Sequence, residues 1–221
     1  MLKKYDGLLN LDATIASSLF ERVEHPWEVL PLIKNFILET IPTLGSEFRE
    51  LGENVFVHES VKIANTAVIN GPTIICKGVD VRPGAFIRGS VIVGENSVIG
   101  NSTEVKNAII FNNCQCPHYN YVGDSVLGEY AHTGAGVILS NFKSDGSNIK
   151  VRDNNEVIET GLRKFGAILG NHADIGCNSV LFPGTVIGSN TNVYPLTRVR
   201  GVIGSNKIVK DVNDVVEKEA R

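Results

Sequence analysis

From Val57 onward an aliphatic residue returns at every sixth position, and this beat leaves very few folds open. It runs through Val57, Ile63, Ile69, Ile75, Val81, Ile87, Val93, Ile99 and Val105, lapses, and returns at Leu127 and Leu139. It then continues through Leu169, Ile175, Leu181, Ile187, Val193 and Val199. An amphipathic helix repeats at about 3.6 residues and a half-buried strand at about 2, so neither explains it. A hexapeptide solenoid does. Each hexapeptide supplies one short strand and one corner, and the coils stack into a mainly β, parallel β-helix. Glycine often follows the inward residue, as at Gly94, Gly100, Gly128, Gly134, Gly170, Gly176 and Gly188, where a Cβ is expected to clash.

The 221 residues suit one domain, or one domain with an appendage, and 43% are hydrophobic, enough to fill such a column. A net charge of -3 gives no basic field to drive binding of nucleic acid or an anionic membrane. No apolar run approaches the roughly 20 residues of a membrane-spanning helix, and Met1 to Gly7 has no apolar stretch behind its lysines. A cytoplasmic protein is expected. The four cysteines form no disulfide framework. Cys114-Gln115-Cys116-Pro117-His118 lacks structural zinc spacing and a second ligand pair, so no metal is expected there.

Residues 1–50 lack the beat. Ile15, Leu19 and Val23, then Val29, Ile33, Ile37 and Ile41, recur four apart, which reads as helix. Pro26 suits a first turn, and Pro31 kinks or restarts the helix. The segment is expected to cap the open first coil. The solenoid spans 51–205, with a polar excursion at 140–164 bearing turn signals at Asp145-Gly146 and Asn154-Asn155. Leu139 and Leu169 keep register across it, so it is expected to be a loop thrown from one corner. The charged tail, 206–221, reads as a short helix or a frayed end.

The stretch from Pro117 to Gly128 interrupts stacking with His118, Tyr119, Tyr121 and Asp124. Histidine is suited to general-base work near neutrality, although a lone histidine also serves as a plain wall residue. With three hexapeptides per coil, Arg88 and Lys106 stand one above the other. Cations about 5 Å apart on adjacent strands repel. Either an anion such as a phosphate lies between them, or both point into water.

Thr103-Glu104-Val105-Lys106, then His118-Tyr119-Asn120-Tyr121-Val122-Gly123-Asp124, then Gly134-Ala135-Gly136 and Asn141 carry a resemblance. They resemble the acetyltransferase domain of the bifunctional N-acetylglucosamine-1-phosphate uridyltransferase/glucosamine-1-phosphate acetyltransferases. The archaeal sugar-1-phosphate nucleotidylyltransferase/acetyltransferases look closer still, through Lys164-Phe165-Gly166-Ala167. The resemblance implies left-handed β-helices in a homotrimer, with sites between subunits. It also implies direct acetyl transfer from acetyl-CoA to an amino-sugar 1-phosphate, with no metal.

By that likeness His118 is the general base, and Glu104 orients it and stabilises its imidazolium. Lys106, Tyr121 and an arginine hold the sugar phosphate, and Asn141 helps position the sugar. Arg82 matches an Arg-Pro-Gly-Ala motif and Arg88 matches the spacing to Lys106, so both stay candidates. Acetyl-CoA is expected along the later coils near Ala135, Asn171 and Pro195, and the 140–164 loop is expected to reach a neighbouring subunit. His132 stands where the family has a substrate-contacting asparagine. Phe142 replaces an aromatic hydroxyl, and Ser147 replaces a lysine whose place Lys143 or Lys150 could take. Such exchanges alter substrate choice.

The glycine-rich loop that opens the nucleotidyltransferase half does not occur, so that activity is not expected. A separate nucleotidyltransferase is a candidate partner for the helical segment. The rival readings are a non-catalytic sugar-nucleotide-binding or scaffold solenoid, and an acyltransferase for another acceptor. A carbonic anhydrase of the same fold would need a His-x4-His pair, and His25, His58, His118, His132 and His172 contain none.

Overall fold

The computed structural model describes residues 7–153 and 156–219; Met1 to Asp6, the expected turn at Asn154-Asn155 and the end of the tail lie outside them. The aliphatic beat folds as a left-handed β-solenoid of about eight turns. Each coil lays one short strand on each of three faces, and every coil pairs in parallel with the next. The first face stacks Val55–His58, Thr73–Ile75, Val91–Val93, then the ends of Glu104–Ile110 and Tyr121–Leu127. It finishes with Ala167–Leu169, Thr185–Ile187 and Val202–Ile203. The second face carries Gln115–His118 and His132–Thr133, and the third carries Phe86–Ile87, Glu104, Tyr121 and Ile138–Leu139.

The inward residues Val57, Ile75, Val93, Ile110, Leu127, Leu169 and Ile187 are fully buried. Each such side chain contributes about 1.5–3 kcal/mol relative to exposure. The glycines beside them are required by stacking. A Cβ on Gly94 would stand 2.5 Å from the Phe111 carbonyl carbon of the next coil, and one on Gly128 2.8 Å from Asn171 N. Neither glycine has positive φ; the left-handed corners fall elsewhere, at Asn96, Asn113, Tyr119, Asn178 and Leu196 among others.

The lapse in the beat has a local cause. Val105 and Ile110 stack on Val122 and Leu127, with one residue fewer between them than separates Ile87 from Val93 below. Two adjacent coils therefore run as single long strands across the corner between the third and first faces. Asn107 (φ 46°) and Asp124 (φ 48°) make the shortened turn.

The N-terminal expectation is corrected. Among the described residues α-helix appears only as α1 (Ser17–Phe20) and α2 (Ile33–Thr40), with 3-10 turns around them, and Ile15 is exposed while Ala16, Leu19 and Phe20 are buried. The segment does not close the first coil. It lies as a strap along the first face, whose outward Ile74, Ile92, Ile109, Val126, Ile168 and Val186 are all but sealed. Phe20 meets Phe111 edge-on at 5.6 Å, and Trp27 lies 5.8 Å from Phe165. The strap has this course because that face is apolar on both sides, so its strands need cover. The first coil ends instead in an antiparallel hairpin, Phe48–Gly52 on Val55–His58.

The tail is corrected too. Lys207–Asp211 adds a parallel strand beside Asn192-Val193 and turns back antiparallel as Asp214–Glu217. Val209, Val215 and Val216 favour strand over helix. The 140–164 excursion leaves one corner, as expected, and forms the hairpin Lys150–Asp153 with Glu156–Glu159. Its neck is closed by Phe165 N–H donating to the Asn141 carbonyl at 3.0 Å.

Candidate active site

His118 ends its strand at the corner between the second and third faces, where it is exposed. Its N–H donates to Asn120 Oδ1 at 3.3 Å, and its carbonyl accepts from Gly136 N–H at 3.0 Å. Asn120 is buried and fixes this corner. Its Nδ2 donates to the Gly134 carbonyl at 2.6 Å, and its own carbonyl accepts from Glu104 N–H at 2.8 Å. Successive coils place Ala135, Cys177 and Pro195 above His118. This follows from the bonds Gly136 N to His118 O, Asn178 N to Ala135 O and Leu196 N to Cys177 O. The expected acyl-donor residues Ala135 and Pro195 thus share the corner of the expected base, with the free thiol of Cys177 between them.

The opposite edge of the third face gathers the expected acceptor residues. Arg88 and Lys106 stack as the spacing requires, but their own chain supplies the anions. Arg88 Nη1 donates to Glu104 Oε1 at 2.7 Å, and Lys106 Nζ donates to Asp124 Oδ2 at 3.3 Å. Carboxylates on the neighbouring coils interleave with both cations, as cross-strand charge pairing favours, and the two side chains stay 41% and 25% exposed. Glu104 is expected to orient His118, yet its carboxylate holds Arg88, and the carboxylate in turn raises the guanidinium pKa.

Asp124, which the sequence singled out only as part of the interrupted stretch, is the hub. Only 6% of its side chain is exposed, and it accepts from Lys106, from Asn107 Nδ2 at 2.9 Å and from Asn141 Nδ2 at 2.5 Å. Asn141 also reaches Tyr121 Oη at 3.1 Å. Burial pushes the Tyr121 phenol pKa upward, so it meets a ligand as a neutral hydroxyl. The signal for Asp124 was present in the sequence as the two shortened apolar intervals.

Three expected residues stand apart. Arg82 lies toward the His118 corner and pairs with Asp80 at 2.9 Å, so of the two arginines only Arg88 joins the Lys106 cluster. His132 faces outward on the second face, where its Nδ1 lies 2.7 Å from Asp174 Oδ1; Asn192 completes the ladder at 3.1 Å. The hydrogen bond from His132 holds the Asp174 carboxyl below its usual range. Asn171 is corrected as an acyl-donor contact. It sits at the corner between the first and second faces, where its Oδ1 accepts from Asn10 N–H and Glu129 N–H. Its work there is to tie down the strap.

Cys114 and Cys116 are both fully buried. Among the described residues no three His, Cys, Asp or Glu side chains gather as a metal-ligand set, and no helix is long and apolar enough to cross a membrane.

The coils define a left-handed hexapeptide-repeat solenoid. A family described as the GMPPB C-terminal domain matches residues 51–140. The bifunctional sugar-1-phosphate nucleotidylyltransferase/acetyltransferase of Sulfurisphaera tokodaii is 35% identical over 191 residues, covering 84% of this chain and 47% of that protein. The uncharacterized acetyltransferase YaiX of Escherichia coli is 29% identical over 199 residues, covering 84% of this chain and 86% of that one. LpxA from Acinetobacter baumannii shares 16% identity at a TM-score of 0.40, covering 71% of this chain and 67% of that chain, too remote to bear on the site. Over most of its own length the chain is similar to the bifunctional sugar-1-phosphate nucleotidylyltransferase/acetyltransferases. It spans about half the length of that relative.

Proposed function

We propose that the protein transfers the acetyl group of acetyl-CoA to the amine of an amino-sugar 1-phosphate, with His118 as general base. One observation carries the reading: a single face holds an exposed histidine at one edge and a cation–hydroxyl–amide cluster at the other. Arg88 commits one N–H to Glu104 and keeps others for a phosphoryl group, for which guanidinium geometry is suited. Lys106, Tyr121 and Asn141 complete the cradle, and Asp124 holds them in place. Glu104 acts here as the positioning residue for Arg88.

The open corner at Ala135, Cys177 and Pro195 has small side chains and fits an extended acyl donor lying beside His118. Acetyl-CoA supplies the acyl group there as a thioester. His118 takes the proton of the amine as its nitrogen attacks, and the CoA thiolate leaves. Outward Val68, Phe86, Ile138 and Val180 leave the rest of this face partly exposed and apolar. That supports a homotrimer in which a second copy packs there and completes the site.

The test is thiol release from acetyl-CoA against a panel of amino-sugar 1-phosphates, beside His118→Ala. We expect release with one acceptor, falling about a hundredfold or more in the variant while its melting curve is unchanged. Unchanged turnover in the variant would remove His118 as the base. No release with any acceptor would favour the scaffold reading.

A further inference from the structure

Above the Lys106 corner the same edge of the solenoid opens into a cavity. The chain leaves the column after Leu139 and arches over the corner at Phe182-Pro183 and Arg200-Gly201, enclosing about 410 Å³. Small-molecule sites span about 300–1,000 Å³. Lys143, Lys150, Arg152 and Arg200 line the cavity against one carboxylate, Asp145. Lys143 is held by Ser147 and lies 3.8 Å from Asp145, and Lys150 pairs with Glu159 at 2.5 Å. Arg152 and Arg200 enter no ion pair among the described residues. Phe142 and Phe182 form part of the wall, with 44% and 40% of their surface exposed.

We infer that this cavity binds a nucleoside diphosphate moiety. Uncompensated guanidinium groups take phosphoryl oxygens in paired N–H bonds, and exposed phenyl rings offer a face on which a base stacks. The inference rests on the phosphoryl cradle at Arg88 and Lys106 and extends the acceptor from an amino-sugar 1-phosphate to one whose phosphate continues into a nucleotide. Asn141 belongs to the Lys106 cluster, while its neighbours Ser140 and Phe142 line the cavity, so the two sites are continuous. Lys106, Gly123 and Ser140 are successive positions on one corner. At the strand spacing of about 4.8 Å the cavity begins about 10 Å from Lys106. An amino sugar carried on a nucleoside diphosphate fits along that edge, with its phosphates running from Lys106 toward Arg200.

The test is calorimetry on the full chain without acetyl-CoA, using UDP, GDP, 3′,5′-ADP and inorganic pyrophosphate. A nucleoside 5′-diphosphate is expected to bind, and Arg152→Ala and Arg200→Ala are each expected to weaken it about tenfold, the loss of one charge-assisted hydrogen bond. Phe182→Ala is expected to weaken UDP or GDP but not pyrophosphate. Absence of binding, or binding unmoved by both arginine variants, overturns the site. Binding of pyrophosphate alone overturns the nucleoside, and preference for 3′,5′-ADP overturns the acceptor, because the cavity then serves the CoA end. Binding is read without turnover, so its failure and the failure of acetyl transfer remain distinct.

Discussion

Lys106 Nζ meets Asp124 Oδ2 at 3.3 Å across a corner from which one residue has been removed. The shortened turn draws Asn107 and Asn141 onto the same carboxylate. A buried acid is tolerated because three donors satisfy it. The site is thus made by an irregularity in the coil, while the regular coils around it keep it rigid.

Asp124→Ala is expected to strip an acceptor from all three donors. Breaking a buried ion pair from one side costs about 3–5 kcal/mol. Lys106 keeps a quarter of its side chain exposed, so the lower end applies, about 3 kcal/mol. Urea unfolding reads this directly. A variant as stable as its parent would mean that backbone pairing alone holds the corner.

Gly94→Ala is expected to destabilise the chain by about 1–3 kcal/mol, since its Cβ must push against the backbone of the next coil rather than a yielding side chain. Gly52→Ala is the control, because its Cβ meets nothing. Thermal melts of the two should separate clearly. Equal melting temperatures would show that the coils breathe apart more easily than their packing suggests.

Stability should respond to acid through Asp174. Its folded pKa is depressed by the His132 hydrogen bond, so its contribution is present above the unfolded value of about 4 and fades as pH falls through the folded one. The stability gap between the parent and Asp174→Asn is therefore expected to be level above about pH 5 and to shrink below about pH 4. A gap that widens on acidification would reverse the sign of the linkage.

Among the four cysteines, Cys177 should react first with iodoacetamide in the folded protein. It alone is exposed, whereas burial pushes Cys76 up to about 12 and Cys116 up to about 11, with Cys114 raised as well. Acetyl-CoA should slow its labelling, as mass spectrometry of the peptides would show. Equal labelling with and without acetyl-CoA would take the acyl donor off the His118 corner.

The solenoid was legible because burial imposes its period directly on the sequence: nearly every inward position is aliphatic, with Cys116 and Thr133 standing between Ile99 and Ile175, and glycines beside them mark backbone approaches. His118, Lys106, Tyr121 and Asn141 were legible through motif and spacing. Asp124 was legible as part of the interrupted stretch but not as a hub, because its partners come from the coils on either side and no linear window holds them together. The pairing of Glu104 with Arg88 was hidden for a related reason, since spacing shows which residues stack but not which way a long side chain leans. The strap was misplaced because an amphipathic stripe reveals that a segment has an apolar face without revealing what it covers.

That strap has a consequence for how the molecule comes apart. In a plain repeat array each unit touches only its neighbours, so the ends can unzip one coil at a time. Here Ser189 Oγ donates to the Leu8 carbonyl, Asn171 accepts from Asn10 N–H, and Asn112 N–H donates to the Ala13 carbonyl. One short segment therefore fastens the Asn112 coil to the Asn171 and Ser189 coils, which that coil does not itself touch. Loosening any of them requires peeling a seam shared with the rest, which turns a ladder of small steps into one concerted transition.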